Sequence, residues 1–188
     1  MEKNNLPVFR LVLGENGIEE TAVVDEPATQ QEWFSLKKQD EFKFSAVNDE
    51  KRIIAGPLLV ANQLIYRNQG GREFNVFFDA QNIELMAQKF FKEGKQSMFN
   101  QMHDKEKKTD GITMYQSFLI NRGLGVMPPK GYESLTDGSW FCFCKVYDDE
   151  IWSKVKSGEF KGFSIEGNFT PQEVEVTDED VRKVANIL

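Results

Sequence analysis

The sequence predicts an α+β fold that is mainly β, a barrel-like sheet system with a few helices around it. Three observations carry this. Apolar residues fall in many short alternating or continuous runs of strand length. Only about three segments show helical spacing, and strands and helices do not alternate regularly as they would in a parallel βαβ protein.

Along the chain, Val8 to Leu13 and Ile18 to Val24 flank Glu15-Asn16-Gly17. An Asn-Gly pair between apolar runs predicts a hairpin. The polar stretch from Asp25 to Gln39 carries a weak helical face in Trp33, Phe34 and Leu36, and Phe42, Phe44 and Ala46 alternate as in a half-buried strand. Ile53 to Val60 is an apolar run interrupted by Gly56-Pro57, which predicts strand pieces joined at a bend or bulge. Phe74 to Phe78 is a strand. Asp79 caps a helix with Ile83, Met86, Ala87 and Phe90 on one face and Gly94 as its stop.

The region around His103 is too polar to read as strand throughout. Ile112 to Ile120 follows as a strand interrupted at Gln116, then a Gly- and Pro-rich loop from Asn121 to Gly138 of a length typical of a flap or a mobile segment. Trp140 to Val146 is a core strand. Asp148 or Asp149 starts a short helix ended by Gly158, and Phe163 to Phe169 is a strand. Val174 and Val176 indicate a further short strand, and Thr177-Asp178-Glu179-Asp180 resembles a capping box before a terminal helix.

Composition narrows the function. With 188 residues, 40% apolar residues and sixteen phenylalanines, the chain has enough apolar material for one full core. A net charge of −7 and a pI near 4.9 disfavour a protein that grips phosphate backbones, so no specific nucleic-acid partner is expected. No apolar run is long enough to span a bilayer, and the first residues lack a signal-peptide plan, so no membrane association is expected.

The two cysteines, Cys142 and Cys144, lie within Trp140-Phe141-Cys142-Phe143-Cys144. Residues two apart on a strand share a face at about 6.5 Å, too far for a disulfide, so they read as buried free thiols. A metal site would have to join His103 to both cysteines and a carboxylate such as Asp104, but Cys-x-Cys lacks the gap of a zinc knuckle. No metal or organic cofactor is expected, and cysteines inside an aromatic strand make a poor Cys-His nucleophile.

His103 is the only histidine, so any imidazole-assisted chemistry runs through it. Its ordinary reading is a surface histidine in a polar loop. Ser164 sits in Lys161-Gly162-Phe163-Ser164-Ile165-Glu166-Gly167, where the glycines permit close approach of a substrate backbone. The segment is not a Gly-x-Ser-x-Gly elbow, because Glu166 occupies the last position, and a structural serine at a strand start is the plainer reading.

The order of motifs changes that balance. Gly56-Pro57 with its apolar strand, Ile65-Tyr66-Arg67, Glu73 to Phe78 leading into the Asp79 helix, His103-Asp104, the strand Ile112 to Ile120 and Gly138-Ser139-Trp140-Phe141 come first. Asp148-Asp149-Glu150-Ile151-Trp152 and the run from Lys156 to Gly167 complete the set, the last being the most specific. Together they resemble the prohead (capsid maturation) proteases of tailed bacteriophages, in the branch described as phage serine proteases. The resemblance covers the stretch from Ile53 to Gly167 and not the first fifty residues.

It implies a fold like that of the herpesvirus assembly proteases, with Ser164 as nucleophile and His103 as general base. The third group does not carry over, since Gln116 stands where relatives often have an acid. Asp104, Glu166, Glu173 and Glu175 are the candidates, with Glu173 and Glu175 placed slightly ahead. The elements and the resemblance together divide the chain into an N-terminal β-rich extension packed on the core over residues 1–50, a protease domain over 51–176, and a C-terminal helix or junction to a removed scaffold segment over 177–188. The resemblance implies phage scaffold and major capsid proteins as partners, self-association, and action in the host cytoplasm inside the assembling prohead. The alternative is a protease-fold protein without hydrolysis, serving as a structural or scaffold-binding module; a third possibility is a host-derived zinc-binding or thiol-dependent protein.

Overall fold

The computed structural model describes residues 6–25, 45–48 and 51–174. Among these residues, ten strands and two α-helices follow in the order β1 (Val8–Val24), β2 (Ser45–Asn48), β3 (Ile53–Leu59), β4 (Ile65–Gln69), β5 (Arg72–Phe77), α1 (Ala80–Lys92), β6 (Phe99–Gln101), β7 (Asp104–Thr109), β8 (Ile112–Leu119), β9 (Trp140–Val146), α2 (Asp149–Ser157) and β10 (Gly162–Glu173). The fold is α+β and mostly β, as the sequence predicts. Among the described residues, its ladders form two open sheets and not one closed cylinder.

The first sheet runs β4-β5-β1-β6-β7, with β10 also paired to β1. The Asn-Gly hairpin expected near Gly17 does not form. Instead β1 is one long strand that stays antiparallel to β10 from Phe9↔Glu173 to Val24↔Gly162, with irregularities between Leu13 and Glu20. Gly17, at φ 66°, is absorbed as a bulge because both halves of β1 keep the same antiparallel partner. On its other side β1 pairs first with β5 and then with β6, both parallel. β10 runs through Pro171, opposite Leu11, and Gln172 and Glu173 extend this strand; of the further strand expected at Val174 and Val176, Val176 lies outside the described residues. Proline is tolerated there because β10 has β1 as its one partner among the described strands.

The second sheet runs β2-β3-β9-β8. The expected break at Gly56-Pro57 appears as a register irregularity between Pro57 and Leu59. The interruption in β8 is a bulge between Met114 and Gln116 that exposes Tyr115 and switches the buried face. Before it, Ile112 and Met114 join the main core; after it, Phe118 packs with Ala55, Ile120, Tyr132, Leu135 and Phe141 in a second cluster. The segment from Asn121 to Gly138 covers this cluster. It is latched by Arg122, whose guanidinium donates to Asp137 at 2.5 Å and to the carbonyls of Glu133 and Leu135.

The helices follow their signals. Asp79 accepts from the Asn82 amide at 2.7 Å and buries Ile83, Met86, Ala87 and Phe90 of α1, while Asp148 accepts from the Ile151 amide at 2.8 Å. Phe90 meets the fully enclosed Trp140 edge-on at 5.4 Å, tying α1 to β9. Cys142 and Cys144 are buried free thiols on the core face of β9, and burial pushes the Cys144 thiol well up. The helical face near Trp33, the strand positions Phe42 and Phe44, and the terminal helix after Thr177 lie outside the described residues.

Candidate active site

The site lies on the first sheet, where β10, β1 and β6 run side by side. Ser164 is opposite Ala22, and Ala22 is opposite Asn100, so these three form one row; Glu166 is opposite Glu20 in the next row of the same face. The alternate residues Val23, Phe99, Phe163 and Ile165 point into the main core. The strand period of two therefore gives this region an apolar inner face and a polar outer one. That outer face is nevertheless enclosed: Asn100, Ser164, Glu166 and Glu20 are all buried.

His103 reaches this face from a turn. The segment predicted as a polar loop is a hairpin in which Gln101 pairs with Asp104, leaving Met102 and His103 as the two connecting residues. Both have positive φ, 56° and 59°, as a type I′ turn requires. Histidine visits that region more readily than most residues, but methionine does not favour it, and there the conformation costs about 1–2 kcal/mol. The surroundings enforce it: the Met102 amide donates to the Val23 carbonyl at 3.1 Å, and Lys154 of α2 donates to the Gln101 side chain at 3.1 Å. Strain held by a packed framework is characteristic of functional sites.

From the turn, His103 Nδ1 lies 2.7 Å from Glu166 Oε1, with both side chains almost fully buried at 4% and 3% exposure. A carboxylate only accepts, so Nδ1 is the donor in this contact. The contact also has a definite place. His103 follows the Gln101 row and Glu166 stands on the Glu20 row, so the pair straddles the row that holds Ser164. Ser164 Oγ is enclosed and makes no hydrogen bond. A buried hydroxyl left in this state forfeits about 1–3 kcal/mol of stability.

Glu166 has a second donor. Asn100 Nδ2 lies 3.2 Å from Glu166 Oε1 and 2.8 Å from Glu20 Oε2, and Lys108 pairs with Glu20 from the solvent side. The Lys108 ammonium is pushed up by this pairing.

The other acidic candidates lie elsewhere. Asp104 accepts from the Glu106 amide at 3.0 Å and pairs with Lys107 at 3.2 Å, contacts that hold its carboxyl below the usual range. Glu173 is exposed at the far end of β10, opposite Phe9, and Glu175 lies outside the described residues. The preference for Glu173 is thus not matched by any contact with His103. Nor does the structure bring His103 to the cysteines: Cys142 and Cys144 sit in the core, and no cluster of three metal-ligating side chains occurs among the described residues.

Sequence reasoning missed Asn100 and Glu20. The one signal, for Glu20, is alternation: it shares its face of β1 with the fully buried Ala22, an acid two residues from an enclosed apolar position.

Residues 41–173 match the family model described as "Putative phage serine protease XkdF". The chain belongs to that family. The matched span contains His103, Ser164 and Glu166, and excludes β1. This member of the phage serine protease family is also 24% identical over 157 residues to "Uncharacterized protein YqbD" of Bacillus subtilis (strain 168). That alignment covers 80% of this chain and 44% of the relative, so the chain spans less than half of that protein's length. No solved structure matches. Among the described residues, no helix of this phage serine protease family member is long and apolar enough to cross a membrane.

Proposed function

We propose that this phage serine protease family member is a serine endopeptidase of head maturation, with Ser164 as nucleophile, His103 as general base and Glu166 as the acid that orients it. The observation that carries this reading is the buried His103–Glu166 contact made through Nδ1 across the Ser164 row. With Nδ1 held by a carboxylate, Nε2 takes the Ser164 proton as Oγ attacks a peptide carbonyl. The imidazolium so formed keeps its counter-ion in Glu166. It then protonates the leaving amine, and water hydrolyses the acyl-enzyme with His103 again acting as base. Neither a metal nor an organic cofactor is needed. The substrates in this reading are phage scaffold and major capsid proteins, and the chain itself, cut inside the assembling prohead in the host cytoplasm by self-associated copies.

A second reading, a catalytically silent protease-fold module that binds scaffold, is favoured by one observation: Ser164 Oγ is enclosed and unbonded. Intact mass separates the two. Purified protein and its Ser164→Ala variant are each treated with a fluorophosphonate probe at high protein concentration and also inside assembled proheads. A single adduct or self-cleavage in wild type, absent from Ser164→Ala, supports the peptidase. Identical masses in both settings leave the scaffold module.

A further inference from the structure

We infer that Glu20 and Asn100 complete the site as positioning residues, so that β1, which lies outside the segment matched to the family, holds Glu166 in place against His103. The inference deepens the peptidase reading and rests on it only for its kinetic arm.

Glu166 Oε1 accepts from His103 Nδ1 at 2.7 Å and from Asn100 Nδ2 at 3.2 Å, and the same amide nitrogen lies 2.8 Å from Glu20 Oε2. The two hydrogens of that nitrogen therefore serve two carboxylates that face each other in register on β10 and β1. Two buried carboxylates this close repel, and the repulsion is offset where each has a donor or cation of its own. Lys108 supplies the cation for Glu20 and His103 supplies the donor for Glu166. Asn100 supplies the bridge. Its Oδ1 is buried without a partner, so the amide is oriented by its nitrogen side alone, toward the two carboxylates.

The arrangement has an outer end. Glu20 and Lys108 form part of the wall of an open groove of about 340 Å³ that also includes Met98 and Asp110. Lys108 is largely exposed there, while Glu166 is not. Glu20 is thus the link between a solvent-side cation and an enclosed acid, and its charge fixes which way the Asn100 amide points. With that charge removed, the hydrogen bond from Asn100 to position 20 weakens, the amide is drawn toward Glu166 and competes with His103 for Oε1, and the Nδ1 contact lengthens.

Because His103 is the only histidine, its imidazole N–H signal in a ¹⁵N-labelled sample needs no assignment. Wild type is expected to show one downfield, slowly exchanging Nδ1–H. Glu20→Gln, which keeps size and removes charge, is expected to move that signal upfield. Asn100→Ala is expected to lose it by exchange, and Asp104→Asn to leave it unchanged. A signal that stays in place in Glu20→Gln overturns the inference, even if Asn100→Ala fails to fold, and so does the absence of any protected imidazole proton in wild type. In the kinetic arm, Glu20→Gln is expected to lower kcat about tenfold with KM held within about twofold, the pattern of lost orientation and not lost binding. A wild type without serine reactivity removes the peptidase reading, while the imidazole signal still decides the positioning.

Discussion

Replacing Glu166 with glutamine keeps the size and reach of the side chain and removes the buried charge that faces His103. In the ground state little changes, because the amide oxygen still accepts from Nδ1 and from Asn100. In the proposed mechanism the loss falls on the transition state, when His103 takes the Ser164 proton and becomes a cation. With N and O 2.7 Å apart, the charge centres are about 4 Å apart, and at an effective dielectric constant of about 20 the missing attraction is about 4 kcal/mol. At 1.36 kcal/mol per decade this corresponds to about a thousandfold in rate. The assay is the second-order rate of fluorophosphonate labelling at Ser164, followed by intact mass, which needs no knowledge of the natural substrate. Glu173→Gln is the matched control on the same strand. Labelling of Glu166→Gln within about tenfold of wild type, or an equal loss in Glu173→Gln, would refute the electrostatic role given to Glu166.

Other expectations follow from the same geometry. Met102 holds positive φ at an exposed turn position, so Met102→Asn is expected to stabilise the protein by about 0.5–1 kcal/mol and raise Tm by about 1–4 °C; a lower Tm would contradict the turn assignment. A Cβ at Gly138, where φ is 85°, would fall 2.3 Å from Ala80 Cβ at the start of α1. Gly138→Ala is therefore expected to cost about 2–4 kcal/mol in denaturant unfolding, through overpacking added to backbone strain. Burial raises the Cys144 thiol well above its ordinary value, so at neutral pH both cysteines are expected to stay unreactive toward a disulfide reagent in native protein and both to titrate in denaturant. With Ser164 Oγ enclosed in a single chain, labelling per molecule is expected to rise with protein concentration; a constant rate would argue against activation by self-association.

Those parts of the fold whose signal is local were legible in the sequence. Asp79 and Asp148 announce both helices, because a cap and an apolar face lie within a few residues of each other. Trp140 to Val146 reads as a strand because burial on both faces leaves an almost unbroken apolar run. The β6–β7 hairpin was not legible: Asp104 to Thr109 contains no apolar residue, and it is a strand only because it pairs with β6 at the edge of a sheet. Nor could Glu15-Asn16-Gly17 reveal that its flanking runs stay in one strand, since that depends on β10, which is distant in sequence. Ser164 and His103 could be singled out because one histidine leaves no choice of base. Choosing Glu166 over Glu173 required the turn at Met102-His103, whose residues carry none of the usual markers of a type I′ turn.

The pairing of β1 with β10 also governs when the site can exist. Ala22 lies opposite Ser164, so the first and last described strands close a loop that contains every other described element. Contacts of such separation form late, after the closure entropy of the intervening chain has been met. During synthesis His103 is made well before Ser164 and Glu166, and the row that brings them together is complete only once β10 has emerged and docked. A partly made chain thus carries the histidine without Ser164 or Glu166, and in the peptidase reading the order of synthesis delays the assembly of the site until the chain is nearly complete.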